Sequence, residues 1–325
     1  MTPTVTIGIP TYNRSRLLSE AIQSVQRQTY QDFEIVVSDD CSVDDTEDVV
    51  RGFQDPRIRY ARTPENLRPP RNWNVCIRLA QGKFFSLLPD DDLYAPDYLK
   101  EMVKALEAHP EVGFAQCGFY QVDQQLRYLQ SLCPHPTSLV LAGEAALTWQ
   151  LERLACLPVT VLFRRKTMLQ MGLWREDYWD DWAFIIRTAY RHGFTFVPKR
   201  LAYNRVHDSN LNRHLVSEGR DTVLDLINQQ TDVFAEALPT TDRLIAFRAH
   251  LNRQASQHAV LLGLGAFLRG EWPKAFFQLN RARQLYAFAW LDPAPFQLWL
   301  TIRAEIRRER KRRAAAQATH PLIQF

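Results

Sequence analysis

No Cys-x-x-Cys pair occurs in this chain, and its five cysteines (Cys41, Cys76, Cys117, Cys133 and Cys156) are odd in number and widely spaced. That spacing excludes a zinc site or a disulfide framework and predicts reduced thiols in a cytosolic protein. Glycine is scarce, at 12 of 325 residues. Neither GxGxxG after the first strand pattern nor a GK[ST] loop is found, which argues against a dinucleotide-dependent dehydrogenase or a P-loop enzyme. No apolar run reaches the roughly 20 residues of a membrane span. Residues 285–300 are rich in aromatics but are broken by Asp292-Pro293 and Pro295. The first residues lack the charged-then-apolar order of a secretory signal, so a cytoplasmic location is expected. Strong net charge is missing too: the balance is +4, and seven Lys/Arg against two Glu crowd into residues 303–313. The rest is nearly neutral, which excludes a broad nucleic-acid-binding surface.

What is present begins with an alternation. Residues 5–9 read as a buried strand stopped by Pro10, and Asn13 or Ser15 as the cap of a helix over 17–28, with Leu17, Leu18, Ala21, Ile22 and Val25 on one face. A strand over 33–37, a polar helix over 46–53, a short strand over 57–60, a helix over 71–80 and an apolar strand over 84–88 follow. This spacing calls for a parallel, doubly wound α/β sheet. Further on, the pattern predicts helix 96–108, strand 112–122 with a turn at 123–125, helix 143–153, strand 159–163, helix 165–171, helix 180–191 ended by Gly193, strand 194–197 and a polar loop over 205–210. Beyond residue 217 only helical periodicity remains. The chain is therefore divided into an α/β domain, 1–215, and a smaller all-helical C-terminal domain, 216–325.

The apolar strand over 84–88 runs through Pro89 into three consecutive carboxylates, Asp90, Asp91 and Asp92. In an open α/β sheet, ligands bind beyond the carboxyl ends of the strands. Acids crowded there repel one another unless a cation intervenes, and hard oxygen donors suit Mg²⁺ or Mn²⁺. A solvated acidic turn before the next helix is the alternative. Other polar clusters also fall where strands end: Pro10-Thr11-Tyr12-Asn13-Arg14, Asp39-Asp40 and Arg71-Asn72. There a carboxylate can pair with a base edge, an aromatic ring can stack and an arginine can neutralise phosphate.

In order and at compatible spacing, IGIPTYNR (7–14), FEIVVSDDCSVDD (33–45), Asn66 with Arg71-Asn72, QGKFFSLLPDDDLYAPDY (81–98), WDDWAFIIRTAYRHG (179–193) and YNRVH (203–207) resemble the family 2 glycosyltransferases of the GT-A fold. The resemblance covers roughly residues 4–212. It implies a doubly wound mixed sheet and an inverting transfer of sugar from a nucleotide-sugar donor. Carried over residue by residue, it implies that Pro10, Thr11, Tyr12 and Arg14 line the nucleotide pocket, with Tyr12 stacking on the base. Asp39 would accept the uracil or thymine N–H, Arg71 would serve the nucleotide and Asp90 would face the ribose. Asp91, with Asp92 in reserve, would hold the metal that bridges the phosphates, and His207 would assist at metal or diphosphate. Asp181 matches the general base; by chemistry alone Asp180 is equivalent, and either could be a helix-start acid favoured by the dipole. Cys41 stands where the family commonly has glycine.

This equipment suits the chemistry. A departing diphosphate needs its charge neutralised by metal and cationic side chains, and a carboxylate across the sugar must take the acceptor hydroxyl's proton. The sequence thus predicts a metal-dependent inverting glycosyltransferase that uses a UDP- or dTDP-sugar, with a hydroxyl of a lipid-linked surface glycan as acceptor. A non-catalytic nucleotide-sugar-binding or assembly protein is the alternative, and Asp181 separates the two because binding needs no base. A nucleotidyltransferase would want a Gly-rich, Lys-bearing first loop, which residues 11–16 do not offer. The basic run at 307–313 predicts peripheral contact with an anionic membrane, with a solvated helix face as its rival.

Overall fold

The computed structural model describes residues 2–153, 156–175 and 180–207. The chain opens with β1 (Val5–Thr11), α1 (Ser15–Gln26), β2 (Phe33–Asp39), α2 (Thr46–Gly52), β3 (Ile58–Arg62), α3 (Arg71–Leu79) and β4 (Phe84–Leu87). It continues through β5 (Leu93–Tyr94), α4 (Tyr98–Ala108), β6 (Phe114–Asp123), β7 (Tyr128–Leu132), β8 (Leu139–Leu141) and α5 (Gly143–Arg153). A 3₁₀ turn at Pro158–Thr160, β9 (Val161–Arg164), α6 (Arg165–Met171), α7 (Asp180–His192) and β10 (Phe194–Val206) complete it. The sheet order is β3-β2-β1-β4-β9-β6-β10-β5, with β7 added to β6 and β8 to β10. β3, β2, β1 and β4 are parallel, whereas β9 is antiparallel to both β4 and β6. The sheet is mixed, as the resemblance implies: the half that the alternation covers is parallel throughout, and β6 and β10 form a further parallel pair beyond the antiparallel β9.

Ile7 and Ile9 face α1 and α4 in a core that also buries Leu18, Ala21, Ile22, Val25, Leu99, Met102 and Leu106. Each such side chain contributes roughly 1.5–3 kcal/mol by leaving water. Gly8, between the two isoleucines, faces the other way, where a Cβ would come within 2.7 Å of the Cys76 Cβ in α3. Glycine there lets α3 lie close on β1. On that second face Phe114, Phe163, Phe184, Phe194 and Trp149 form a run of ring contacts between the sheet and α5 and α7.

Several expectations need correction. Pro10 does not stop β1, which continues to Thr11 in register with Asp39. Gly8 accepts the Leu88 N–H and Thr11 that of Asp40, so residue 10 turns its nitrogen toward β4, whose pairing has ended at Gly8. No ladder bond is lost. Neither Asn13 nor Ser15 caps α1; the Ser15 N–H donates to Asp44 Oδ2 at 3.2 Å instead, from the loop after β2. β10 runs on to Val206, past a bulge around Pro198, so Arg205 and Val206 belong to a strand and not to a loop. β5, β7 and β8 had no counterpart in the sequence reading, being short or exposed. All five cysteines are free thiols, and no helix among the described residues is long and apolar enough to cross a membrane. The domain boundary near 215, the helical domain 216–325 and the basic run fall outside the described residues.

Candidate active site

Three strand ends build the site: those of β1, β4 and β10. Beyond β4 the chain turns through Leu88-Pro89, and the next three residues are all buried: Asp90 is 5%, Asp91 9% and Asp92 3% exposed. Thr11, at the end of β1, donates its hydroxyl to Asp90 Oδ2 at 2.8 Å. From the turn after β1, Arg14 Nη1 reaches Asp90 Oδ1 at 3.1 Å and Asp91 Oδ2 at 3.2 Å. His207, one residue past β10, sets Nε2 2.9 Å from Asp91 Oδ2. Asp92 turns to β10 and accepts the Arg205 backbone N–H at 2.8 Å and the Asn204 amide at 3.3 Å. The triplet therefore divides its work: Asp90 and Asp91 face Arg14 and His207, and Asp92 fastens the loop to the sheet.

The electrostatics follow from burial. Desolvation raises Asp90 to about 6, Arg14 opposing and Asp91 adding to the rise. Asp92 is pushed well above the usual carboxylate range, by burial first and then by Asp91. Burial works against the Arg14 charge, but Asp90 and Asp91 outweigh it and its pKa rises. Packed carboxylates that resist ionisation are what an added cation would relieve. Among the described residues no three acidic, His or Cys side chains form a closed metal cage. Asp91 Oδ2 and His207 Nε2 lie 2.9 Å apart, and a carboxylate oxygen beside an imidazole nitrogen is a donor pair that would suit a divalent ion.

A second cluster is built one strand over, at the end of β2. Asp39 is 1% exposed; its Oδ1 accepts the Ser42 N–H at 2.9 Å and its Oδ2 the Tyr60 hydroxyl at 2.5 Å. Burial and the Asp39 carboxylate both push the Tyr60 phenol up, so it stays protonated and remains a donor. Asn13 and Ser42 lock the two loops together: the Asn13 N–H donates to Ser42 Oγ at 2.9 Å, and the Val43 N–H to Asn13 Oδ1 at 2.8 Å. Asn13 and Cys41 both adopt positive φ, 53° and 65°. Asn tolerates that region, but a cysteine at the family's glycine position is strained. Asp40 accepts the Leu67 and Arg68 N–H groups, both at 2.8 Å, and so steers the chain toward α3. Tyr12 remains 43% exposed, its ring open to a partner. Pro10 is buried within β1, and Arg71 is exposed in the first turn of α3.

Asp181 is the second residue of α7. α7 turns through Gly193, at φ +67°, directly into β10. The Asp181 Oδ1 accepts the Trp182 N–H at 2.7 Å. Burial first, and then the Asp181 charge, push the neighbouring Cys156 thiol up. Sequence reasoning missed Tyr60, Ser42, Asn204 and Arg205. The last is buried and holds Glu20 of α1 at 2.6 Å. The Asx and Ser turn chemistry of Asn13 and Ser42 was a usable signal, whereas Tyr60 and Arg205 depend on strand pairing that no local pattern encodes.

Comparison with known proteins places this geometry. The model of glycosyl transferase family 2 matches residues 6–172. An uncharacterized protein of Mycobacterium tuberculosis is 30% identical over 238 residues, covering 69% of this chain and 73% of its own length. The GalNAc(5)-diNAcBac-PP-undecaprenol beta-1,3-glucosyltransferase of Campylobacter jejuni is 40% identical over 119 residues, 35% of this chain and only 38% of its own length. Among solved structures, Staphylococcus aureus TarS 1–349 in complex with UDP-GlcNAc superposes with a TM-score of 0.62 at 18% identity, over 87% of this chain and 81% of that one. The mannosyltransferase PcManGT of Pyrobaculum calidifontis, in complex with GDP-Man and Mn²⁺, gives 0.53 at 20% identity over 88% of each. At these identities the structures establish the shared fold.

Proposed function

This chain belongs to glycosyltransferase family 2, and from that premise we propose that it is a metal-dependent, inverting transferase. It moves a sugar from a UDP- or dTDP-sugar to a hydroxyl of a lipid-linked surface glycan. The observation that carries the reading is the gathering of Arg14, Asp90, Asp91 and His207 in one buried cluster, beside an Asp39 already oriented by two donors. TarS and PcManGT, whose fold the chain shares, bind UDP-GlcNAc and GDP-Man with Mn²⁺ respectively. The acceptor class is supported by the undecaprenol-linked substrate of the Campylobacter enzyme, of which the chain matches little more than a third.

In this reading Tyr12 stacks on the base and Asp39 takes its N–H. Pro10 and Thr11 shape the floor, Arg71 approaches the nucleotide, and Asp90 holds the ribose. Asp91 and His207 would hold the divalent ion, with Asp92 tying the loop after β4 to the end of β10; the bound ion would supply charge neutralisation at the departing diphosphate. Arg14 adds a fixed positive charge on the same side. Asp181 takes the acceptor's proton as its oxygen attacks the anomeric carbon from the face opposite the diphosphate. That single displacement inverts the centre.

The test is binding and slow hydrolysis of a panel of nucleotide sugars with Mn²⁺ or with EDTA, for wild type and Asp181→Asn. Metal-dependent turnover of one donor, lost in the variant while binding persists, is expected. Failure of every nucleotide to bind with metal would overturn the reading. Equal turnover by the variant would remove Asp181 from it.

A further inference from the structure

The opposite edge of the sheet carries a groove that the transfer reaction does not use. It encloses about 790 Å³ and is lined by Thr2, Thr4, Lys83, Arg165, Lys166 and Gln170, with Pro3, Gln81, Gly82 and Leu169 between them. Its place is fixed by topology: Thr4 precedes β1, Lys83 precedes β4, and Arg165 follows β9, which is antiparallel to β4. All three therefore stand at the edge of the sheet where β1 and β4 begin and β9 ends. Lys83 and Asp90 are separated by the whole of β4 and its following turn, roughly 20 Å at the rise of an extended chain. A donor seated at the acids does not reach here.

The lining is one-sided in charge. It holds two lysines and an arginine and no acidic residue. Two carboxylates lie behind the lining and are already bonded: Asp32 takes the Thr4 hydroxyl, and Glu34 is shared among Thr6, Arg59 and the Gln81 N–H. Arg165 is held by its backbone, whose N–H donates to the Lys83 carbonyl at 3.1 Å. Its Nε is buried without a hydrogen-bond partner. A buried guanidinium N–H with no acceptor is rare and costly, and a groove with surplus positive charge is where an anion would supply one. Lys83 is exposed, its ammonium 4.9 Å from the centroid of the buried Phe84 ring.

We infer that this groove is a binding site for a phosphate-bearing anion, distinct from the donor site, with Arg165 as its central contact and Lys83 and Lys166 as flanking charges. Tetrahedral phosphate oxygens match the forked N–H groups of arginine, and two lysines add unspecific attraction. A soluble phosphate compound and an anionic lipid headgroup share that chemistry, and either would engage the protein from the side away from catalysis.

The experiment uses the full chain. Inorganic phosphate and pyrophosphate are titrated by calorimetry, and vesicles with and without phosphatidylglycerol are co-sedimented, for wild type, Arg165→Gln and Lys83→Gln/Lys166→Gln. Saturable binding of phosphate or pyrophosphate, weakened at least tenfold by Arg165→Gln with nucleotide-sugar binding unchanged, is the expected result for a soluble anion. Loss of vesicle binding in the same variants, without a soluble-anion effect, would identify the headgroup as source. Anion and vesicle binding that are absent, or identical in wild type and variants, would overturn the inference. Because nucleotide-sugar binding is read in parallel, failure here and failure of the transferase reading stay distinguishable.

Discussion

The two halves of this sheet are held together by different physics. From β1 to β4, polar side chains at strand ends are joined to one another: Thr11 and Arg14 to Asp90, Tyr60 and Ser42 to Asp39, Asn13 to the loop after β2. From β6 to β10, cohesion comes from rings: Tyr120 stacks on Tyr203 at 5.3 Å, Phe114 on Phe194 at 5.4 Å, and Trp149 lies against Phe194 and Phe196. A half built from directed hydrogen bonds fixes charge positions to a fraction of an ångström, as recognition of a nucleotide and diphosphate demands. A half built from non-directional packing admits many sequences, and so can vary with the sugar and acceptor. His207, Asn204 and Arg205 are exceptions, since they lie on the second half and reach back to Asp91, Asp92 and Glu20.

If that division is right, substitutions in the two halves should separate donor affinity from turnover. The largest effect is expected at Asp181, in the second half. Asp181→Asn should lower kcat by about 10²–10⁴-fold with donor Kd unchanged, because a base acts only in the transition state. A proportionate loss of donor binding would break the division. Asp91→Asn should instead weaken metal-supported donor binding by about 100-fold, read by calorimetry with Mn²⁺, and leave binding in EDTA unchanged.

The pH dependence is smaller and comes from Asp90. Its pKa in the fold is raised to about 6, so the metal-free protein is favoured with this group protonated. That contribution is fully present below the ordinary carboxylate pKa, is lost as pH rises through about 6, and amounts to about 3 kcal/mol. A divalent ion reverses the penalty only where Asp90 is ionised. The gain in Tm from Mn²⁺ should therefore be larger at pH 7.5 than at pH 5. Equal gains at both would mean that the ion does not sense Asp90.

The same contrast explains what the sequence could disclose. α5 and α6 were expected at 143–153 and 165–171 and are Gly143–Arg153 and Arg165–Met171, since helical periodicity and a closing glycine are local. The strand-end acids were legible because an apolar run ending in carboxylates is a local contradiction that only a ligand or tight bonding resolves. β10 was cut short at 197 because Pro198 and the charges of Lys199, Arg200 and Arg205 resemble a loop. Pairing with β6 and burial of Arg205 against Glu20 override that pattern. The separate task of Asp92 was invisible for the same reason, as its partners lie 112 and 113 positions along the chain.

Tyr60 gives the smallest and finest test. Its hydroxyl contributes nothing to the core and is not expected to touch donor, yet it supplies one of two donors that hold Asp39. A carboxylate has about four lone-pair sites, so a base N–H can be accepted as well, provided the plane of the group is fixed. Tyr60→Phe keeps the ring and removes that constraint. Donor Kd should rise by roughly fivefold, about 1 kcal/mol, with kcat and the Mn²⁺ requirement unchanged. Asp39→Asn should cost more, because its amide presents a donor toward the base. If Asp39→Asn weakens binding and Tyr60→Phe does not, the Ser42 N–H alone orients the carboxylate. If neither does, the base is read elsewhere, and the hydrogen-bonded half loses its claim to nucleotide recognition while the acid cluster keeps its own.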